Sequence, residues 1–431
     1  MFKAYVEAYG CSSNIADEEA VFALLKKKKF LLVNNPAVSD VNIILTCAVK
    51  LPTVNRMIDR IQKLTSMGKP LIVAGCLTKV RRNEIEKINP KASLLSPDWV
   101  ERVEEAATAS IAGKKIVLLE DVKKPKLSLP RYRINPVIAI VQIGRGCLSN
   151  CSYCEEPYRG KLFSYPLHAI VKEVKSALEE GCREVWLTSL DNGCYGFDLG
   201  VNLTQLLDAV CKLDGKFFIR VGMANPSHVS KILDNLVQTY RDEKVYKFLH
   251  IPIQSASDSI LKLMKRGYRL KDFLKIVKRF REEFVYLTLS TDVIVGFPGE
   301  SSKDFRKTLE FVKRVEPDIV NLSKFGPHPG TVAATMPQLK RETINKRTKR
   351  LFETIRKVQL RKNEKWIGWK GEILVDEKGK NNSFVGRNFA YKPIVVESKK
   401  NLLGKFLEVK VVDARSNYLL GELDLNIRST Y

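Results

Sequence analysis

Residues 145–160 read RGCLSNCSYCEEPYRG and place Cys147, Cys151 and Cys154 within eight positions. The spacing is C-x3-C-x2-C. A structural zinc site needs four closed ligands. The nearest further candidates, His168 and Cys182, are poorly spaced for a compact knuckle. A ferredoxin-type cluster also wants a fourth cysteine. Three thiolates on a four-iron cluster would leave one iron open, which is useful when a substrate must coordinate it. A disulfide, or three ordinary buried thiols, are the remaining readings.

The flanks of this stretch set the fold. It follows the apolar run PVIAIVQIG, and five more runs of strand character come after it: EVWLTSLD, FFIRVGMAN, KFLHIPIQS, VYLTLSTDVIVGFP and DIVNLSKFG. Helical patterns such as LHAIVKEVKSALEEG and KDFLKIVKRFREEF lie between them. Strands alternating with helices imply a parallel sheet, and six units predict a partial (β/α)6 barrel rather than a closed eight-fold one.

Upstream, residues 1–100 repeat strand, cysteine, helix three times. FKAYVEAYGC ends in Cys11, VNIILTCAV holds Cys47 and KPLIVAGCL holds Cys76, each followed by a helix-like segment. This predicts an N-terminal parallel α/β domain. In such sheets ligands sit beyond the carboxyl ends of the strands, so the fold can gather cysteines separated by 36 and 29 residues. Residues 121–135, DVKKPKLSLPRYRIN, read as a linker.

Downstream, residues 338–365 read as one long helix with eleven basic and three acidic residues, a local net charge of +8. From Trp366 the chain turns to short strands broken by Gly, Asn and Lys, the pattern of a small all-β barrel. Phe384, Arg387, Phe389, Tyr391 and Lys392 could form a nucleic-acid face there, or the aromatics could be barrel core. The expected divisions are 1–125, 133–337, 338–365 and 366–431.

The chain of 431 residues carries a formal charge of +25 and nine cysteines, none beyond Cys211. So basic a surface attracts phosphate backbones. Nine thiols without a leader-like N-terminus predict a reducing, cytoplasmic setting and favour metal binding over a disulfide framework. No apolar run reaches membrane-spanning length. Cys182, Cys194 and Cys211 match no ligand pattern and read as packing residues. The run KKKK at 26–29 reads as a solvated helix end.

The sequence resembles the radical S-adenosylmethionine methylthiotransferases over nearly its whole length. The resemblance rests on EAYGCSSNIADEEA, ILTCAV and VAGCLT, on IGRGCLSNCSYC, RGKLFSYP, IRVGMANPSHV, FLHIPIQSASDSILKLMKRGY, TDVIVGFPGE and KFGPHPGTVAA, and on a terminal barrel of the TRAM kind. The wording is similar to the archaeal and eukaryotic branch, which methylthiolates C2 of N6-threonylcarbamoyladenosine at tRNA position 37. The resemblance implies two [4Fe-4S] clusters. Cys147, Cys151 and Cys154 would hold the one that cleaves S-adenosylmethionine. Cys11, Cys47 and Cys76 would hold the one that carries the sulfur, with two cofactor molecules used per turnover. It also implies Asp191 and Arg220 as catalytic contacts, and Gln254, Ser255 and Arg266 as cofactor contacts. Asp191 and Arg220 could instead pair with each other, Gln254 and Ser255 could cap a strand end, and Arg266 could be a solvated charge or a phosphate contact. The implied partners are the tRNA anticodon stem-loop, a flavodoxin- or ferredoxin-like electron donor and a sulfur donor, for a monomer with no membrane attachment.

Three departures from the family pattern stand out. Leu190 replaces a glutamine. Glu155 and Glu156 follow Cys154 in a segment one residue short. His328 stands where arginine is frequent. They leave open a paralogue with an altered substrate, such as another tRNA adenosine or a ribosomal protein, or a non-catalytic RNA-binding protein holding a structural metal.

Overall fold

The computed structural model describes residues 1–155 and 160–423. Glu156 lies outside them.

The N-terminal sheet is six-stranded and wholly parallel. Its strands are β1 (Lys3–Ala8), β2 (Leu31–Val33), β3 (Val41–Thr46), β4 (Leu71–Gly75), β5 (Ser93–Leu95) and β6 (Val117–Leu118), in the order β2-β1-β3-β4-β5-β6. β3 is buried at every position, and alternation splits it between two cores. Val41, Ile43 and Leu45 pack with Ala20, Val21 and Leu25 of the helix Ser12–Lys27. Ile44 points to the other face, with Met57 and Ile61 of the helix Leu51–Thr65. Helices on both faces make the strand a continuous apolar run. The expected strands β1, β3 and β4 are adjacent in the sheet; β2, β5 and β6, two or three residues each, carry too little pattern to read from sequence.

The six central strands form as expected. They are β7 (Ile138–Gln142), β10 (Glu184–Thr188), β11 (Phe218–Val221), β12 (Phe248–His250), β13 (Thr288–Val295) and β14 (Ile319–Lys324). They make two parallel three-stranded sheets, β11-β10-β7 and β12-β13-β14, joined by the isolated bridge Ile219–Val245. Their outer face packs on helices such as Leu167–Glu179, Leu270–Glu283 and Ser302–Val315. The short ribbon of β8 (Gly144–Arg145) and β9 (Phe163–Ser164) closes the base of the cysteine loop.

The basic helix spans Arg341–Glu364. Beyond it β15 (Lys370–Lys378), β16 (Ser383–Arg387), β17 (Pro393–Glu397), β18 (Phe406–Ala414) and β19 (Leu419–Leu423) close a barrel in the order β15-β16-β17-β19-β18.

The concave wall of the central barrel is covered by the other two domains. Ile138, Ile140, Trp186 and Phe218 meet Ala16 from the N-terminal helix and Leu374 and Phe406 from the C-terminal barrel. Tyr391 lies 4.9 Å from Tyr246 and 4.9 Å from Phe248, ring to ring. Lys392 Nζ reaches Asp318 Oδ1 at 2.8 Å and Asn363 Oδ1 at 2.9 Å. Arg387 pairs with Asp376 and Phe384 is barrel core. Phe389 packs against Trp366 and Tyr286. The nucleic-acid face expected from these five residues is therefore corrected: they build the barrel and its dock. The linker has no regular secondary structure but is tied down, with Lys126 on both oxygens of Asp17 and Arg133 on Glu19 and Glu180.

Candidate functional site

The first three cysteines stand at the ends of three neighbouring strands. The register pairs Ala8 with Leu45 and Thr46 with Gly75, so Cys11, Cys47 and Cys76 follow β1, β3 and β4 on one edge. The approach is tight. Gly10 has φ +120°, and a Cβ there would lie 2.4 Å from the Cys47 Cβ. Cys11 caps the helix that begins at Ser12. A hydrogen bond from the Cys47 thiol and nearby backbone amides lower the Cys11 pKa to about 6, against the effect of burial. The same partnership, then burial, pushes Cys47 up, and burial raises Cys76 to about 12. One thiol of the trio is thus poised as a thiolate, the form that binds metal.

The second trio rides the loop between β8 and β9. The loop leaves through Gly146, φ +75°, where a Cβ would lie 1.9 Å from the Lys161 carbonyl oxygen, so only glycine fits. Ser152 anchors the loop by donating to the Leu263 carbonyl at 2.7 Å. Asn225 Nδ2 donates to Ser149 Oγ at 2.8 Å. A hydrogen bond from Cys194 lowers the Cys147 pKa to about 7, and that bond, with burial, raises Cys194.

Cys194 was expected only to pack; it is fully buried, yet its thiol is the partner of a candidate ligand. Asp191 holds the centre of this corner. Its Oδ1 accepts from Gly193 N at 3.0 Å and Asn225 N at 2.9 Å; its Oδ2 lies 2.7 Å from His228 Nδ1 and 3.8 Å from Cys147 Sγ. The ligand atoms of Asp191, Cys194 and His228 lie within 4.8 Å of one another, close enough for a metal. Asp191 and His228 already satisfy one another, and the Cys194 sulfur also lies 3.3 Å from the Asp191 carbonyl oxygen. No sequence spacing pointed to His228, which lies 37 residues from Asp191.

Gln254 and Ser255 lie just beyond β12, both buried. Gln254 is held at φ +63°, a left-handed conformation for a non-glycine residue, by backbone bonds to Asp292 and Ile294. Arg266 is no surface charge. Its Nη1 donates to Cys151 Sγ at 3.0 Å and to Tyr153 Oη at 3.3 Å, and its Nε to Tyr268 Oη at 3.2 Å. Arg220 does not pair with Asp191. Its guanidinium sits 4.8 Å from the Trp186 ring centre, 5.2 Å from Phe248 and 5.4 Å from Tyr391. Phe248 opens β12, so Arg220 reaches toward the base of the barrel, away from the cysteines.

Two of the departures meet. Arg81 Nη1 lies 2.8 Å from Glu155 Oε1, and His328 Nδ1 lies 3.7 Å from Glu155 Oε2. Arg81 comes five residues after Cys76 and Glu155 directly after Cys154, so the contact ties the two cysteine regions together. Burial holds the His328 pKa below the usual imidazole value. The third departure, Leu190, lines a cavity walled by Cys11, Cys47 and Cys76 on one side and by Gly146 and Ser189 on the other. The N-terminal trio opens onto the mouth of the central barrel.

Three family models match the chain: the radical SAM superfamily over residues 141–312, Uncharacterized protein family UPF0004 over 3–96 and the TRAM domain over 367–423. A protein of Pyrococcus horikoshii named probable threonylcarbamoyladenosine tRNA methylthiotransferase is 41% identical over 427 residues, 98% of this chain and 100% of that one. Its counterpart in Methanocaldococcus jannaschii is 39% identical, covering 98% and 97%. The human threonylcarbamoyladenosine tRNA methylthiotransferase is 32% identical, covering 97% of this chain and 74% of its own length. Among solved structures, the radical S-adenosylmethionine methyltransferase TsrM of Kitasatospora setae is similar with a TM-score of 0.55 at 14% identity, covering 77% of each chain, a likeness of fold.

Proposed function

This chain belongs to the threonylcarbamoyladenosine tRNA methylthiotransferase family, and from that membership we infer that it inserts a methylthio group at C2 of N6-threonylcarbamoyladenosine 37 in tRNA. The observation that supports the reading is the cavity in which Cys11, Cys47 and Cys76 face Gly146, the residue before Cys147, and Ser189 and Leu190 beyond β10.

Cys147, Cys151 and Cys154 would hold one [4Fe-4S] cluster, and Cys11, Cys47 and Cys76 a second. With S-adenosylmethionine bound, these groups supply the one-electron chemistry and the sulfur that an unreactive C–H position needs. The residues present fit such groups. Each trio has one thiol with a lowered pKa, Gly10 lets the chain before Cys11 pass close to Cys47, Gly146 lets the second loop turn past Lys161, and the buried guanidinium of Arg266 leans on Cys151. Asp191, fixed on three sides by Gly193, Asn225 and His228, presents its carboxylate toward Cys147, where it would orient a cationic amino group of the cofactor. Gln254 and Ser255 offer hydrogen bonds at the strand end. Leu190 offers none and adds an apolar side chain to the cavity lining. Arg220 holds the inner wall through its three aromatic neighbours, and we assign it no contact with reacting atoms.

For tRNA, the helix Arg341–Glu364 exposes Arg341, Lys346, Lys349, Arg350, Arg356 and Lys357, a basic stripe that would follow the backbone of the anticodon stem-loop. No helix among the described residues is long and apolar enough to cross a membrane. A cytoplasmic monomer, reduced by a flavodoxin- or ferredoxin-like protein and resupplied by a sulfur donor, completes the reading.

Mass spectrometry of tRNA nucleosides from cells with and without the gene tests it. Loss of the methylthio form, with threonylcarbamoyladenosine accumulating in its place, is expected. Equal methylthiolation in both, with no paralogue present, refutes it.

A further inference from the structure

The second cysteine loop has two flanks. Cys147 follows Gly146, which lines the cavity of the first trio, and lies 3.8 Å from Asp191. Cys151 lies on the other flank, where the loop is hydrogen-bonded to a surface turn. That turn joins the helix Asp258–Leu263, which follows β12, to the helix Leu270–Glu283. Ser152, next to Cys151, donates through Oγ to the Leu263 carbonyl at 2.7 Å and through its amide to the Met264 carbonyl at 3.1 Å. The solvent side of the turn is a pocket lined by five basic and two acidic residues, and it shares no described residue with the cavity at Cys11, Cys47 and Cys76. Arg266 lines this pocket and also reaches Cys151 Sγ at 3.0 Å, so a single side chain separates the pocket from a candidate cluster ligand.

Lys262, Lys265 and Lys271 are exposed, and none of the three has an acid partner among the described residues. The two acids are engaged: Asp258 Oδ1 accepts from the Leu270 amide at 2.7 Å and Asp272 Oδ2 from the Arg269 amide at 2.8 Å. Leu263, beside Lys262 in the chain, is 41% exposed. An apolar spot among unpaired charges of one sign suits a brief encounter with a protein of opposite charge, because the charges steer it in and the small area lets it leave. We propose that this pocket docks an acidic, ferredoxin-like protein that reduces the cluster held by Cys147, Cys151 and Cys154. The proposal rests on the reading that these cysteines hold that cluster. One electron leaves the reduced carrier, which is oxidised by one unit, and enters the [4Fe-4S]2+ state to give [4Fe-4S]+. The hydrogen bonds of Ser152 and Arg266 supply short routes inward, and electron transfer falls off steeply with distance. Both carboxylates of the pocket already accept from backbone amides, so a carrier that passes its electron without a proton suits it. A tRNA backbone would need neither the exposed leucine nor the contact with Cys151, and the exposed cations of Arg341–Glu364 already offer it a stripe.

The test uses the full-length protein, reconstituted anaerobically without S-adenosylmethionine, as wild type and with Lys262→Glu, Lys265→Glu and Lys271→Glu combined. Both are also made with Cys11, Cys47 and Cys76 changed to alanine, so that the absorbance change reads the second trio alone. Prereduced plant-type [2Fe-2S] ferredoxin is the probe, prereduced flavodoxin a second carrier and dithionite the small-molecule control. The glutamate variant is expected to keep its iron and its reduction by dithionite, while its second-order rate with ferredoxin at low salt falls about tenfold or more. The wild-type rate should fall as salt rises until the two converge. Oxidised ferredoxin should bind the metal-free wild type more tightly than the metal-free variant. Equal ferredoxin rates or equal ferredoxin binding overturn the proposal, as does an equal loss with dithionite or a loss with flavodoxin alone. So does a variant that keeps the wild-type ferredoxin rate but binds tRNA more weakly and with a smaller salt slope, which would make the pocket an RNA surface. Wild type that takes up no iron at Cys147, Cys151 and Cys154 would instead overturn the underlying reading, and the proposal with it.

Discussion

Replacing Lys392 with methionine separates two roles that its sequence context leaves equally open. On a nucleic-acid face, Lys392 would contact a phosphate. In the structure its ammonium is buried, 2.8 Å from Asp318 and 2.9 Å from Asn363, where the central barrel, the basic helix and the C-terminal barrel meet. Methionine keeps the volume and removes the charge. Asp318 then keeps Lys362 at 3.5 Å as its ion-pair partner and the Leu289 amide at 3.0 Å. Breaking a buried pair costs about 3–5 kcal/mol, and the residual lysine places this case near 3. At 1.4 kcal/mol per factor of ten, that lowers the docked-to-undocked ratio of the C-terminal barrel on the order of a hundredfold. Trp366 and Trp369 lie at that barrel, so fluorescence during urea unfolding reads the loss directly. Burial alone would raise the Asp318 pKa, but Lys392 and Lys362 outweigh it and hold the group below the usual carboxylate value. The stabilisation is therefore present above the normal carboxylate range and is lost as pH falls through the lowered value. Lys392→Met should flatten that acid limb, and Asp318→Asn in the same chain should recover much of the loss. RNA affinity of the folded variant should keep the wild-type salt slope. If the urea midpoint is unchanged and the salt slope drops by about one, Lys392 is a phosphate contact and the docking argument is wrong.

Glu184 should give the opposite pH dependence: burial and the nearby Asp376 push its pKa up to about 8, so the fold holds a proton that the unfolded chain releases near 4.5. Stability should fall as pH rises between those values, and Glu184→Gln should abolish that fall; a wild-type profile level over this window would count against it. Arg81→Leu leaves Glu155 buried with only His328, so we expect a loss of about 2–3 kcal/mol and faster hydrogen exchange in the loop ending at Glu155. Adding Glu155→Gln should reverse most of the loss, and unchanged exchange in Arg81→Leu would show that the pair ties nothing together. The triple change of Cys11, Cys47 and Cys76 to alanine should halve the roughly eight irons bound after anaerobic reconstitution while S-adenosylmethionine cleavage persists; loss of all iron would mean the two trios do not bind separately.

What the sequence disclosed was what repeats or alternates. β1, β3 and β4 announced themselves by apolar runs ending in cysteine, and five short alternating segments announced the C-terminal barrel. The two- and three-residue strands had no period to show. Side-chain destinations were the harder part. Lys392 and Arg387 carry charges and read as surface, yet each has an acid waiting from a distant segment, Asp318 or Asp376. Arg266 read as a contact by motif; only folding shows that its neighbour is Cys151. Glu155 and His328 looked like unrelated departures because they stand 173 positions apart, and three-dimensional contact turns them into one feature.

The two cysteine trios also differ in what keeps them in register. Neighbouring parallel strands lie about 4.8 Å apart whatever connects them. Cys11, Cys47 and Cys76 inherit their separation from the sheet, so the helices between them can lengthen, shorten or be exchanged without moving a sulfur. Cys147, Cys151 and Cys154 depend on a single loop, where one inserted residue displaces a ligand. The first trio is thus portable: any parallel sheet with three adjacent strand ends could be given such a site, while a pattern search based on spacing alone would pass it by.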